Sequence, residues 1–358
     1  MRALKFGVFD EGGYNWFDHV PNAVDAYEQS FREVRLEEAV GFDYHFFIEH
    51  QGHVVGQLQS PAVYLAALSQ QTRTIRIGAM VFILPFHDPL RLAMDCAMID
   101  QLSHGRFEFG AGLSFSSDMF EAWHIPYPFE ERRQAGPEAL EIIARAWTEE
   151  RFSFHGKYYR YDNVIPLPRP YQKPHPPMWF VGSTPSSLEL CVERGFGVGF
   201  FLLPDPVLEK TIGHWKQLWR DARKSEPRPP CFLSRSVYVA ETDEQAYQEV
   251  APYLPQSYSW GEEKFAIEKI GDHDMAAQGG RDPKQVMFAK LRSSIDVWIE
   301  QNIAYVGSPE TVIEKLETSR ARLGFDVFGG RFRFGPMPDA MVERSIELFG
   351  KKVIPAFR

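Results

Sequence analysis

Cysteine is scarce in this chain of 358 residues: Cys96, Cys191 and Cys231 are three in number and far apart. That count and spacing exclude a disulfide framework and a four-thiolate zinc site, so buried thiols are expected. Long apolar runs are missing too. No stretch approaches the roughly 18 residues of a membrane span, and the N-terminal MRALKFGVFDEGG lacks the apolar core of a signal peptide, so a soluble, cytoplasmic protein is expected. Positive charge is in deficit, with 39 Lys and Arg against 48 Asp and Glu and a net charge of -9. Such a surface repels a phosphate backbone, and no basic stripe interleaved with aromatics offsets it, which argues against nucleic acid. There is no low-complexity segment and no repeat with a period of 20–50 residues.

What is present is a globular composition, 44% hydrophobic and 24% charged. Short apolar runs alternate with amphipathic stretches. Lys5–Phe9, Tyr44–Ile48, Ile75–Phe82, Arg106–Gly112, Met178–Val181, Gly197–Leu203, Leu233–Ala240 and Phe325–Phe332 read as buried strands. Helical patterns lie between them at about Ala26–Val40, Pro61–Gln70, Pro89–Leu102, Ala135–Thr148, Pro185–Glu193, Pro206–Arg223 and Pro309–Leu323, with a last helix from Asp339. One helix carries its own punctuation: Asp88 can cap it, Pro89 fits its first turn, and Gly105 follows its end. Eight strands in this order predict an α/β fold of one domain over 1–358, a closed (β/α)8 TIM barrel. Two insertions interrupt it. Residues 151–177 hold seven Pro or Gly residues, which predicts a surface excursion without regular structure. Residues 243–302 are too long for a simple crossover and should hold helices and a mobile loop around Gly279 and Gly280.

The competing dinucleotide fold lacks its fingerprint. Gly110-Ala111-Gly112 has no third glycine, and Gly195, Gly197 and Gly199 precede a strand where the motif must open a helix. In a barrel the chemistry sits at the C-terminal strand ends, which directs attention to IEHQGH after the second strand. Glu49, His50 and His53 follow the apolar run directly, and an imidazole there suits a general base near neutral pH. A histidine bonded only to a neighbouring loop is the plainer alternative. A metal site is disfavoured, because strand alternation puts His45 and His50 on opposite faces.

IEHQGH, the strand RIGAMVFILP with HDPLRLAMD, and MIDQLSHGRFEFGAG resemble, in order and spacing, the bacterial luciferase-like flavin-dependent monooxygenases. GKYYRYDN, PRPYQKPHPPMWFVGSTPSS and YVGSPETVIEKL extend the resemblance over most of the chain. The resemblance implies that His50 is the catalytic acid/base and that Met80-Val81 is the dipeptide with a non-proline cis bond beneath the flavin. It also implies that Gly182, Ser183, Thr184, Ser186 and Ser187 receive the FMN phosphate. A small-residue loop that opens a helix suits an anion on physical grounds as well. Capping by Thr184 or Ser186 would explain one hydroxyl but not four.

The sequence also departs from the family. Gly112 and Leu113 stand where luciferase has a reactive cysteine and an arginine, so a cationic phosphate partner must come from elsewhere. Gln51 and Met94 replace a histidine and a glutamate of its subunit interface. The resemblance implies an oxidoreductase that takes reduced FMN from a separate NAD(P)H:flavin reductase and oxygenates a small, largely apolar organic substrate with O2 through a flavin peroxide. It also implies a homodimer. A deazaflavin-dependent dehydrogenase on the same barrel and a non-catalytic flavin-binding subunit remain as alternatives. Phe82, Phe86, Phe109 and Phe115 are candidates for an apolar cavity, and Arg292, Arg331 and Arg333 for contact with an anionic group.

Overall fold

The computed structural model describes residues 2–12, 23–49, 60–113, 120–121, 123–201, 203–222, 227–255, 294–334 and 337–358. The strands are β1 (Lys5–Asp10), β2 (Tyr44–Phe47), β3 (Arg76–Ile83), β4 (Phe107–Gly112), β5 (Phe152–His155), β6 (Arg160–Val164), β7 (Met178–Val181), β8 (Gly197–Phe201), β9 (Cys231–Val239), β10 (Ala304–Gly307) and β11 (Val327–Arg331). Eight of them, β1, β2, β3, β4, β7, β8, β9 and β11, pair in parallel, and the β8–β9 and β9–β11 pairings close the ring. These are the eight strands expected from the sequence. Around them lie α1 (Ala23–Val40), α2 (Pro61–Gln71), α3 (Pro89–Leu102), α4 (Arg132–Thr148), α5 (Pro185–Arg194), α6 (Asp205–Ala222), α7 (Asp243–Val250), α8 (Ile295–Glu300), α9 (Pro309–Leu323) and α10 (Asp339–Leu348).

The helix limits follow local chemistry. Asp88 accepts from the Arg91 amide at 2.8 Å, Pro89 opens α3, and Gly105 beyond its end has φ +82°. Thr184 with Pro185 opens α5 and Ser308 with Pro309 opens α9; left-handed Gly195 and Gly324 end them.

Strand alternation sorts the core into two. Phe9, Phe46, Met80, Trp179, Phe232 and Val327 form the cluster inside the barrel, with Tyr44, Ile48, Val81, Val181 and Phe201 packed on it. The alternate residues, Phe6 and Val8 of β1 among them, face the helices and belong to the larger core. An ionic plug closes the barrel floor at the N-terminal strand ends. Glu108 accepts from Arg76 Nε and from Trp179 Nε1, the latter at 2.6 Å. Burial pushes the Glu108 carboxyl upward while Arg76 and the Trp179 bond pull it down.

Two sequence expectations need correction. The excursion at 151–177 is not wholly irregular, because β5 and β6 form an antiparallel hairpin there. Its Pro and Gly residues crowd after position 165, and only Gly156 lies within the hairpin, in its turn. A ninth strand of the main sheet was also missed: β10 pairs with the end of β9. Four residues between two helices carry too little pattern to be read. The helices expected within 243–302 are present as α7 and α8, and Gly279 and Gly280 lie outside the described residues.

Candidate active site

The C-terminal strand ends form the mouth of the barrel, and four groups of residues meet there. The first is a shelf at the end of β3. The Met80–Val81 peptide bond is cis, and the register against β4 shifts between Ala79 and Phe82. Both side chains join the inner cluster. Glycines in β4 let the shelf sit close: a Cβ at Gly110 would lie 2.2 Å from the Ala79 carbonyl oxygen, and one at Gly112 would lie 2.6 Å from Val81 Cγ2.

The second group follows β7. Thr184 Oγ1 lies 2.9 Å from Ser187 Oγ and 3.2 Å from Ser186 Oγ, and it accepts from the Ser187 amide at 3.4 Å. Gly182 admits this arrangement, since a Cβ there would stand 2.6 Å from Ser187 Oγ. Ser183 and Ser186 are exposed, and Thr184 and Ser187 half-buried. Three hydroxyls thus gather at the start of α5, where the helix dipole favours negative charge.

The third group is built on Glu49, whose side chain is fully buried. One oxygen accepts the Ile83 amide at 2.6 Å, and both lie 2.9 Å from His87 Nε2. The ring of His87 stands edge-on to Phe82. Glu49 therefore fastens the end of β2 to the segment that leaves β3.

The fourth group lies on β9 and β11. Ser236 Oγ accepts from Arg331, whose Nη1 lies 2.7 Å from Glu11 Oε2. The Arg331 guanidinium also faces the Trp298 and Phe334 rings. Ser234 shares the face of Ser236, and its buried hydroxyl has no hydrogen-bond partner among the described residues.

The structure thus brings Met80, Val81, Gly182, Ser183, Thr184, Ser186 and Ser187 to the strand ends where the sequence placed them. His50, His53, Gln51, Phe115 and Arg292 lie outside the described residues. His45 turns outward and meets Glu37, as alternation required. Arg331 and Arg333 are buried in ion pairs with Glu11 and Glu33, so neither is held out toward an anion. Phe82 and Phe109 stack on one another in the outer core rather than line the barrel, whereas Phe86 faces Phe120 and Trp123 beyond the end of β3. The three cysteines are buried free thiols; burial pushes Cys191 and Cys231 up to about 12. Ser234 and Ser236 escaped the sequence reading, although two hydroxyls at alternate positions of an apolar strand signal a polar patch on one face.

A closed parallel β/α barrel whose polar groups converge on one mouth is the frame of an enzyme. Residues 4–327 match the family model of the luciferase-like monooxygenases, and the chain belongs to that family. It is therefore an oxidoreductase. Limonene 1,2-monooxygenase of Rhodococcus erythropolis is 29% identical over 362 residues, 98% of this chain and 87% of the relative. The oxygenase component of the flavin-dependent trigonelline monooxygenase of Acinetobacter baylyi is 25% identical over 308 residues, 83% and 81% of the two chains. The crystal structure of a monooxygenase from Streptomyces bottropensis superposes with a TM-score of 0.82 at 27% identity, covering 99% of this chain and all of that one. Among the described residues no helix is long and apolar enough to cross a membrane.

Proposed function

We propose that this chain is the oxygenase of a two-component system, taking reduced FMN from a separate NAD(P)H:flavin reductase and using O2 to oxygenate a small, largely apolar organic substrate. The hydroxyl cradle at the start of α5 carries the reading. Thr184, Ser186 and Ser187 offer donors to an anion without a carboxylate bonded among them, which suits a phosphate. The buried Ser234 hydroxyl, which has no hydrogen-bond partner among the described residues, fits the same reading, because a buried polar atom calls for a partner.

In this reading Gly182, Ser183, Thr184, Ser186 and Ser187 hold the phosphate, and Met80 and Val81 form the shelf beneath the ring. Reduced FMN, when bound, supplies the two electrons that O2 activation needs. The chain contributes position, dryness and a proton. Ile48, Val181 and Phe201 keep the upper wall apolar, so water is held away from the reacting atoms. His50, which follows the second strand directly in the sequence, is the acid/base in this reading, as the family resemblance implies. The relative that acts on trigonelline is by name an oxygenase component, which supports a separate reductase. A homodimer and a cytoplasmic location complete the proposal.

Anaerobic titration with reduced FMN, oxidised FMN and a deazaflavin tests the cofactor. Tightest binding of reduced FMN is expected, with no NAD(P)H consumed by the pure chain. Preferential binding of the deazaflavin, or NADH oxidation without added reductase, would refute the reading.

A further inference from the structure

A buried ionic cluster stands behind the first two barrel strands and borders the Glu11–Arg331 pair of the mouth. Its centre is His45 of β2, 1% exposed, whose Nδ1 lies 2.9 Å from Glu37 Oε2 of α1. The other ring nitrogen, Nε2, has no hydrogen-bond partner among the described residues and points toward Asp10 Oδ2 of β1, 4.0 Å away. Glu33, one turn back along α1, is paired with Arg333, which also meets Asp339 of α10. From α2 comes Tyr64, whose hydroxyl bonds Ser30 and whose ring lies 6.2 Å from that of His45.

Glu33 and Glu37 also border a cavity of about 10 Å³, with Asp10, Glu11, Arg331 and Arg333 among its other walls. That is close to the least space that holds one water molecule, and the site has more than the two to four polar partners a buried water needs. Its walls come from both the helix layer and the strand ends. Glu33 and Glu37 belong to the helix layer, while Glu11 and Arg331 form the ion pair at the mouth.

Acids outnumber cations in the cluster. Asp10, Glu11, Glu33, Glu37 and Asp339 are five acids, against Arg32, Arg331, Arg333 and at most one imidazolium. Burial pushes the carboxyls of Glu33 and Glu37 upward, with Arg333 and His45 pulling back. Burial works the other way on His45, but Glu37 outweighs it, helped by Asp10, and the imidazole is raised above its ordinary 6.5.

A reaction that starts from anionic reduced FMN consumes one proton. With a substrate S the balance is FMNH⁻ + O2 + S + H⁺ → FMN + SO + H2O, and without substrate it is FMNH⁻ + O2 + H⁺ → FMN + H2O2. We propose that His45 and Glu37 store this proton and pass it by way of Asp10, which His45 Nε2 faces, and one water in the cavity to Glu11 at the mouth, with Asp339 as the route back to solvent. The role rests on the FMN reading. His45 acts through Glu11 and touches neither flavin nor substrate, so it is a proton-transfer residue rather than a catalytic one.

The isosteric variant Glu37→Gln tests the idea in the full chain. Nitrogen-15 NMR of the flavin-free protein should find the His45 imidazole titrating above its ordinary range in the wild type and at a lower pH in the variant. Protein loaded with reduced FMN is then mixed rapidly with O2 alone. Wild-type flavin oxidation should be nearly flat between pH 6 and 8, whereas Glu37→Gln should slow about tenfold per pH unit as the proton comes from bulk water. If Glu37→Gln does not fold, His45→Gln carries the same expected slope. A wild-type His45 that titrates no higher than in the variant, or parallel pH profiles with only a lower melting temperature in the variant, would overturn the proposal. Failure of the wild type to hold reduced FMN would refute the cofactor reading instead, and the NMR result would then decide the cluster's role by itself.

Discussion

Removing a hydroxyl from the α5 cradle separates a phosphate site from an ordinary helix cap. In Thr184→Ala the Ser187 amide loses an acceptor that was already distant at 3.4 Å, so the cost to the helix should fall at the low end of capping effects, about 0.5 kcal/mol. In a chain of this size that lowers the melting temperature by about 1–2 °C. A hydroxyl that donates to a phosphate is worth more, about 1.5–3 kcal/mol, because the acceptor is charged. Thr184→Ala and Ser187→Ala should therefore each raise the Kd for reduced FMN about 10- to 150-fold. Anaerobic fluorescence titration measures the loss, and thermal unfolding without flavin measures the cap. Riboflavin, which has no phosphate, should bind wild type and variants alike. An unchanged Kd for FMN together with a lower melting temperature would reduce the cradle to a helix start.

His50→Ala should keep FMN binding and lose about 10²–10⁴ in single-turnover oxygen transfer, whereas full activity in the folded variant would remove His50 from the chemistry. Glu38 makes a pH prediction. Its partial burial pushes the carboxyl up, but hydrogen bonds from Thr74, Ile75 and Arg73 prevail and hold it below its ordinary 4.5. A depressed carboxyl contributes stability above its unfolded pKa and loses it as the pH falls through the folded value. Glu38→Gln should therefore be less stable than wild type at pH 7 and indistinguishable below the acid transition; a gap that persists at low pH would refute the assignment.

The eight barrel strands were legible because each is buried on both faces and reads as a continuous apolar run between long amphipathic crossovers. The cradle was legible for a local reason, since strand, small residues, proline and helix follow one another within ten positions. The hairpin β5–β6 was missed when its few polar residues were averaged with the prolines that follow. Local pattern does not disclose pairing across the sheet. Glu49 accepts the amide of Ile83, and Arg331 meets Glu11 some 320 positions earlier in the chain. His45 was legible as outward-facing, but its partners on α1 and β1 come together only once the barrel has closed.

With the barrel interior packed from the inner cluster down to Arg76, Glu108 and Trp179, a guest can sit only at the mouth. On the proposed reading two guests, a flavin and a substrate, share that mouth. The guest that lies deeper then arrives first and leaves last, which imposes a queue. In steady state, excess substrate should trap spent flavin inside, and turnover should pass through a maximum as substrate rises.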